Sequence, residues 1–177
     1  MMTKWDTRFL GLAAYISSWS KDPSSQVGAV ITDGNRIVSL GYNGFAVGVE
    51  DKQERLGDRD CKLNLTIHAE ENAMIFAKRD LSDCTVYVTH PPCPRCASKL
   101  IQEEVGRIVY IAPSEDFLSR WSGDLKLSSE MYREAGVEII SYAIEEINHD
   151  NAQITIAPGG FFKKMMNLFL GSGDGSR

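Results

Sequence analysis

The sequence predicts an α/β fold: a three-layer α-β-α sandwich around a mixed sheet of about five strands. Three observations predict it. From the middle of the chain onward, β-branched runs alternate with stretches of helical periodicity, which implies neighbouring parallel strands covered on both faces. Earlier, residues 27–32 and 36–42 are two β-branched runs joined by Asp33, Gly34 and Asn35. That Asp-Gly junction is a hairpin signal and makes the sheet mixed. The chain has 177 residues, 43% of them hydrophobic and 24% charged, enough for one domain with a sizeable core.

Each element has its own reason. Residues 5–18 read as an amphipathic helix with Phe9, Leu12, Ala13 and Ile16 on one face. Residues 20–25 are polar and contain Pro23, so they form a loop. The hairpin follows. Residues 43–65 are long, polar and without periodicity, the pattern of a functional or disordered loop. Thr66 is placed to cap a helix over 67–78. Residues 84–89 form a strand stopped by Pro91 and Pro92, and 95–104 a helix with Ala97, Leu100 and Ile101 inward. Residues 107–111 form the next strand. A helix over 125–135 closes on Gly136, and 137–142 form the last strand. Residues 1–142 make up the expected catalytic domain and 143–177 a C-terminal extension. In that extension, 161–170 have the composition of a short amphipathic helix, read as a packing or subunit-contact element in preference to a membrane surface. Residues 171–177 have the composition of a flexible end.

Charge and cysteine content narrow the function. Lys and Arg number 19 against 24 Asp and Glu, a formal net charge of -5. A face for long polynucleotides is usually basic, so polymeric nucleic acid is disfavoured. Small anions need only a few local donors. No run approaches a membrane span, and the first twelve residues lack the apolar core of a secretion signal, so the expected location is the cytoplasm. Cys61, Cys84, Cys93 and Cys96 are then metal ligands or core residues in preference to a disulfide framework.

Two segments carry chemistry: His68-Ala69-Glu70 and Pro92-Cys93-Pro94-Arg95-Cys96. One imidazole and two thiolates make a three-ligand zinc set that leaves a fourth position for water. A helix start favours thiolate over thiol. Glu70, beside the metal without ligating it, suits proton shuttling. A structural zinc site would need a fourth ligand, for which Cys84, Cys61 and His90 are the candidates. Cys84 reads as core, Cys61 as a loop residue or a ligand of a second metal site, and His90 as packing or as a hydrogen-bond partner near the site.

With H-x-E and P-C-x-x-C in place, the chain resembles the zinc-dependent cytidine deaminase superfamily, and within it the deoxycytidylate (dCMP) deaminases. The resemblance also rests on residues 20–29 and 41–45 and spans about residues 5–142. It implies a cytidine-deaminase-like fold with zinc on His68, Cys93 and Cys96. It implies Glu70 as proton shuttle while an activated water adds to C4 of cytosine, with dUMP and ammonia as products. By position, Asn43 would hold the sugar or base, and backbone groups of Ala69 and Pro92 would read the cytosine edge. Lys21, Ser24 and Ser25 form a sensible phosphate contact or, equally, a solvated turn. Gly41, Tyr42 and Gly44 resemble a segment linked to control by dCTP and dTTP, with Mg2+ accompanying the triphosphate, although glycines here also simply make turns. Family members are hexamers, so a homo-oligomer is expected.

Several residues keep two readings. Arg55 and Arg59 either meet phosphate or belong to a solvated face. Arg95 orients near the site or points to solvent. Phe117 and Trp121 border the pocket or pack in the core. The competing functions are a nucleoside or free-base deaminase, a tRNA adenosine deaminase, which the net charge disfavours, and a non-enzymatic zinc or nucleotide-sensing protein, which Glu70 disfavours.

Overall fold

A computed structural model describes residues 2–144 and Ile147. The elements are α1 (Lys4–Ser17), β1 (Gly28–Asp33), β2 (Arg36–Tyr42), β3 (Gly44–Phe45), α2 (Gln53–Gly57), α3 (Arg59–Leu65), β4 (Thr66–Ile67), α4 (Ala69–Ala77), β5 (Thr85–Val88), α5 (Pro94–Gln102), β6 (Arg107–Ile111), α6 (Glu115–Ala135) and β7 (Glu138–Tyr142). One sheet has five strands in the order β2-β1-β5-β6-β7. Strands β5, β6 and β7 are parallel, and β1 is antiparallel to both β2 and β5. The expected mixed five-stranded sandwich is therefore the observed one.

The pleat sorts the core into two faces, because successive side chains on a strand alternate. Ala29 and Ile31 of β1, Val86 and Val88 of β5 and Ile108 of β6 face the side covered by α4, α5 and α6. Val30, Tyr87 and Val109 face the side covered by α1, where Phe9, Leu10, Ala13 and Ile16 meet them together with Tyr142 and Ile147. Helix α1 starts with a capping box: the Asp6 N–H donates to the Thr3 hydroxyl, and the Thr3 N–H donates to the Asp6 carboxylate, each at 3.1 Å.

Helices α1 and α4 lie directly against glycines. A Cβ at Gly28 would sit 2.0 Å from the Ala13 carbonyl oxygen of α1, and one at Gly41 would sit 2.2 Å from the Ala69 carbonyl oxygen of α4. Glycine is what lets backbone approach backbone there, and at Gly41 that contact fixes the start of α4.

Three expectations are corrected. Residues 43–65 are not a structureless loop: they hold β3, α2 and α3, and β3 pairs with β4. Helices this short have little stability alone and show no apolar period; tertiary contacts through Leu56 and Lys62 hold them. Thr66 does not cap α4. It lies in β4 and its hydroxyl donates to the Lys62 carbonyl at 2.8 Å, while His68 is the N-cap of α4. Helix α6 begins at Glu115, capped by Ser114, ten residues before the expected start at 125. Its first turns are largely exposed, so they lack the core-facing stripe that marks a helix in sequence. The readings for 161–170 and 171–177 lie outside the described residues.

Candidate active site

The site forms where two helix N-termini meet. His68 is the N-cap of α4, Cys93 is the N-cap of α5 with Pro94 in its first turn, and Cys96 follows in that same turn. His68 Nδ1 lies 3.6 Å from Cys93 Sγ and 3.4 Å from Cys96 Sγ. For a tetrahedral zinc with ordinary Zn–S and Zn–N lengths, the nitrogen–sulfur separation works out at about 3.5 Å. The donor set and its spacing thus fit zinc. These are the only described residues that gather three such donors. Cys84 is buried in the core and Cys61 lies apart from the cluster, so neither supplies a fourth ligand.

The electrostatics agree. A hydrogen bond from Cys96 lowers the Cys93 thiol far below its ordinary range, and Cys96 is pushed up by the same bond and by burial. The hydrogen bond with Cys93 in turn raises the His68 imidazole. A cation among the three donors answers the charge on Cys93. Glu70, 4% exposed in the first turn of α4, is pushed above the usual carboxylate range by burial. From α6, the Ser128 hydroxyl donates to the Pro92 carbonyl at 3.1 Å and braces the turn that carries Cys93.

These groups open onto a cavity of about 190 Å³ whose floor includes His68, Glu70 and Cys93. Phe117 and Trp121, one turn apart on α6, form an aromatic wall with His90, whose ring is 5.7 Å from that of Phe117. Burial lowers His90 to about 4, so it is a neutral group at pH 7.

A sequence model of the cytidine and deoxycytidylate deaminase zinc-binding region matches residues 3–112. The chain belongs to this deaminase family. It is 51% identical over 139 residues to a protein described as an uncharacterized deaminase in the luxG 3' region of Aliivibrio fischeri, covering 78% of this chain and 94% of that one. It is 45% identical over 120 residues to a probable deoxycytidylate deaminase of Caenorhabditis elegans, covering 65% of this chain and 61% of that one. Among solved structures, the dCMP deaminase of cyanophage S-TIM5 superposes with a TM-score of 0.64 at 21% identity over 80% of this chain and all of that one, a likeness of fold.

Within this deaminase frame, the sequence-predicted residues divide. Ser25, Asn43 and Ala69 line the cavity with His68, Cys93 and Glu70. Lys21, Ser24 and Pro92 are not among its lining residues, and neither are Gly41, Tyr42 and Gly44; Pro91 lines it in place of Pro92. Lys21 is exposed and paired with Asp51 at 2.7 Å. Asn43 accepts from the Val27 N–H at 2.8 Å and donates to the Ser25 carbonyl at 2.9 Å, so its amide clamps the loop to the end of β2 while one face lines the cavity. Gly41 meets α4, and Tyr42 stacks edge-on against Trp19. Arg55 binds the Glu50 carbonyl and does not reach the cavity. Sequence reasoning missed Asp124 on α6, which lines the cavity, and Lys62, which lies behind Asp22. A lone acid or lysine in a charged stretch carries no positional signal.

Proposed function

We propose that this deaminase converts dCMP and water to dUMP and ammonia, supplying the precursor of thymidylate. The observation that carries the reading is Glu70, buried beside the converging His68, Cys93 and Cys96 donors on the floor of a cavity rimmed by the loop that contains Ser25. Relatives named deoxycytidylate deaminase support the choice of substrate.

His68, Cys93 and Cys96 would hold zinc, which when bound supplies Lewis acidity and a water that ionises near neutrality. The chain's own residues do the rest. Glu70 would take a proton from the attacking water and deliver it to N3 of cytosine, then carry the proton of the new C4 hydroxyl to the amino group as the C4–N bond breaks and ammonia leaves, a task for which its raised pKa suits it. Phe117, Trp121 and His90 would wall the substrate from bulk water. Backbone groups at Ala69 and at the Pro91–Pro92 turn would read the pyrimidine edge, Asn43 would set the sugar position, and Lys21, Ser24 and Ser25 would face the phosphate. Three further readings rest on the resemblance. One is control by dCTP and dTTP through Gly41, Tyr42 and Gly44, with Mg2+ on the triphosphate. The others are a hexamer in the cytoplasm and a catalytic unit of residues 1–142 followed by an extension. Among the described residues, no helix is long and apolar enough to cross a membrane.

One observation favours a second reading, a cytosine nucleoside deaminase: the cavity lining includes Asp22 and Asp124 and, among the described residues, no Lys or Arg. Ammonia release from dCMP, deoxycytidine, dCTP and tRNA, with and without dCTP or dTTP as effector, separates the two. The proposal expects dCMP to react fastest. Equal turnover of deoxycytidine would overturn it.

A further inference from the structure

Lys62 is the only buried Lys or Arg among the described residues. Its ammonium lies 2.8 Å from Asp22 Oδ1 and 3.0 Å from Ser24 Oγ. The same Asp22 oxygen accepts from the Ser24 N–H at 2.7 Å and the Ser25 N–H at 3.0 Å. Both partners of the ion pair are enclosed, with side chains 9% and 10% exposed. A buried ion pair is a poor source of net stability, because desolvation offsets the attraction. Its effect here lies in what it does to the rim.

We propose that Lys62 is a positioning residue that readies the loop of residues 22–25 to accept an anionic group, and so sets a preference for phosphorylated over unphosphorylated substrate. This rests on the mononucleotide reading above. Two effects follow from the geometry. Asp22 lines the cavity, where its charge would repel a phosphate, and the Lys62 ammonium cancels that charge from behind. An ammonium only donates, so by donating to Ser24 Oγ it occupies an acceptor position and leaves the hydroxyl proton free to turn outward. Lys62 itself does not line the cavity, so it acts through Asp22 and Ser24.

The test is the ratio of kcat/KM for dCMP to that for deoxycytidine, measured on the full-length, zinc-loaded protein with thermal unfolding as a check on folding. Lys62→Met leaves Asp22 uncompensated, and the ratio falls tenfold or more through KM for dCMP. Asp22→Asn leaves the ammonium uncompensated, and the ratio rises at least twofold. The double variant lies between them. A residue that merely holds the loop together would lower the ratio in all three, and that result, or a ratio moved by neither single variant, overturns the proposal. Should Lys62→Met not fold, the direction of the Asp22→Asn change still decides it. A wild-type protein with no preference for dCMP defeats the mononucleotide reading itself, whereas a preference that the variants leave untouched defeats only the role of Lys62.

Discussion

Among the described residues, two buried acids lie on opposite faces of the sheet and are treated in opposite ways. Asp6, on the α1 face, is fully buried and accepts from Arg107 at 2.8 Å and from the hydroxyls of Tyr87 and Tyr142, each at 3.1 Å. Burial alone would raise its pKa, but the Arg107 and Thr3 hydrogen bonds and the Arg107 charge outweigh it and hold Asp6 at about 2. Glu70, on the α4 face, is almost as buried, and there burial prevails and its pKa goes up. Desolvation opposes both charges; what differs is the number of donors aimed at each. A carboxylate surrounded by donors is fixed as an anion and joins elements together. One left without such a cage is held less firmly as an anion and can take up and release a proton.

The largest expected effect comes from the second acid. Glu70→Gln should lower kcat by roughly 10²- to 10⁴-fold, with zinc content retained and no drop in the thermal midpoint. Ammonia release and metal analysis on one preparation check this; substantial residual turnover would remove the contrast. Asp6→Asn should do the reverse. It should cost about 3 kcal/mol of stability, because Arg107 loses its buried partner, while the folded protein keeps its kcat. Denaturant unfolding compared with steady-state rates decides that.

The Asp6 contribution also has a pH signature. Its folded pKa lies below the unfolded value, so the stabilisation is present above about pH 4 and is lost as pH falls toward about 2. The stability gap between wild type and Asp6→Asn should therefore narrow by about 2 kcal/mol over that interval; a gap that widens with acid would contradict the assignment.

The two glycines sharpen the comparison further. Gly28→Ala and Gly41→Ala should each cost about 1–3 kcal/mol through overpacking against α1 and α4. Only Gly41→Ala should also lower kcat, because α4 carries His68 and Glu70. Equal loss of activity in both would show that the faces are not separable. The smallest effect belongs to Tyr132, a buried phenol with no hydrogen-bond partner among the described residues, on the α4 face. Tyr132→Phe should leave the thermal midpoint unchanged or slightly raised, since it removes an unsatisfied polar group.

The sequence made the α4 face legible where chemistry dictates spacing. His68, Glu70, Cys93 and Cys96 sit within short segments, so their motif survives without knowledge of the fold. The strands were legible because their β-branched runs alternate with helices. The Asp6 network was not: it joins residues from α1, β5, β6 and β7 that are far apart in the chain, and a single Asp in a first helical turn reads only as a capping residue. The cavity rim was legible in part. The loop around Ser25 stood out by resemblance, but Asp22 being neutralised by Lys62 depends on α3 folding over it. The early start of α6 was hidden because its first turns present Phe117 and Trp121 to the cavity and little to the core.

The central claim is that His68, Cys93 and Cys96 hold the zinc on which deamination depends, with Glu70 as its proton carrier. The most direct measurement strips the protein with a chelator and follows ammonia release from dCMP as zinc is returned. The account predicts no turnover in the stripped protein and a linear recovery that ends at about one zinc per chain. Full turnover with no zinc bound, or recovery that continues well past that equivalence, would contradict it.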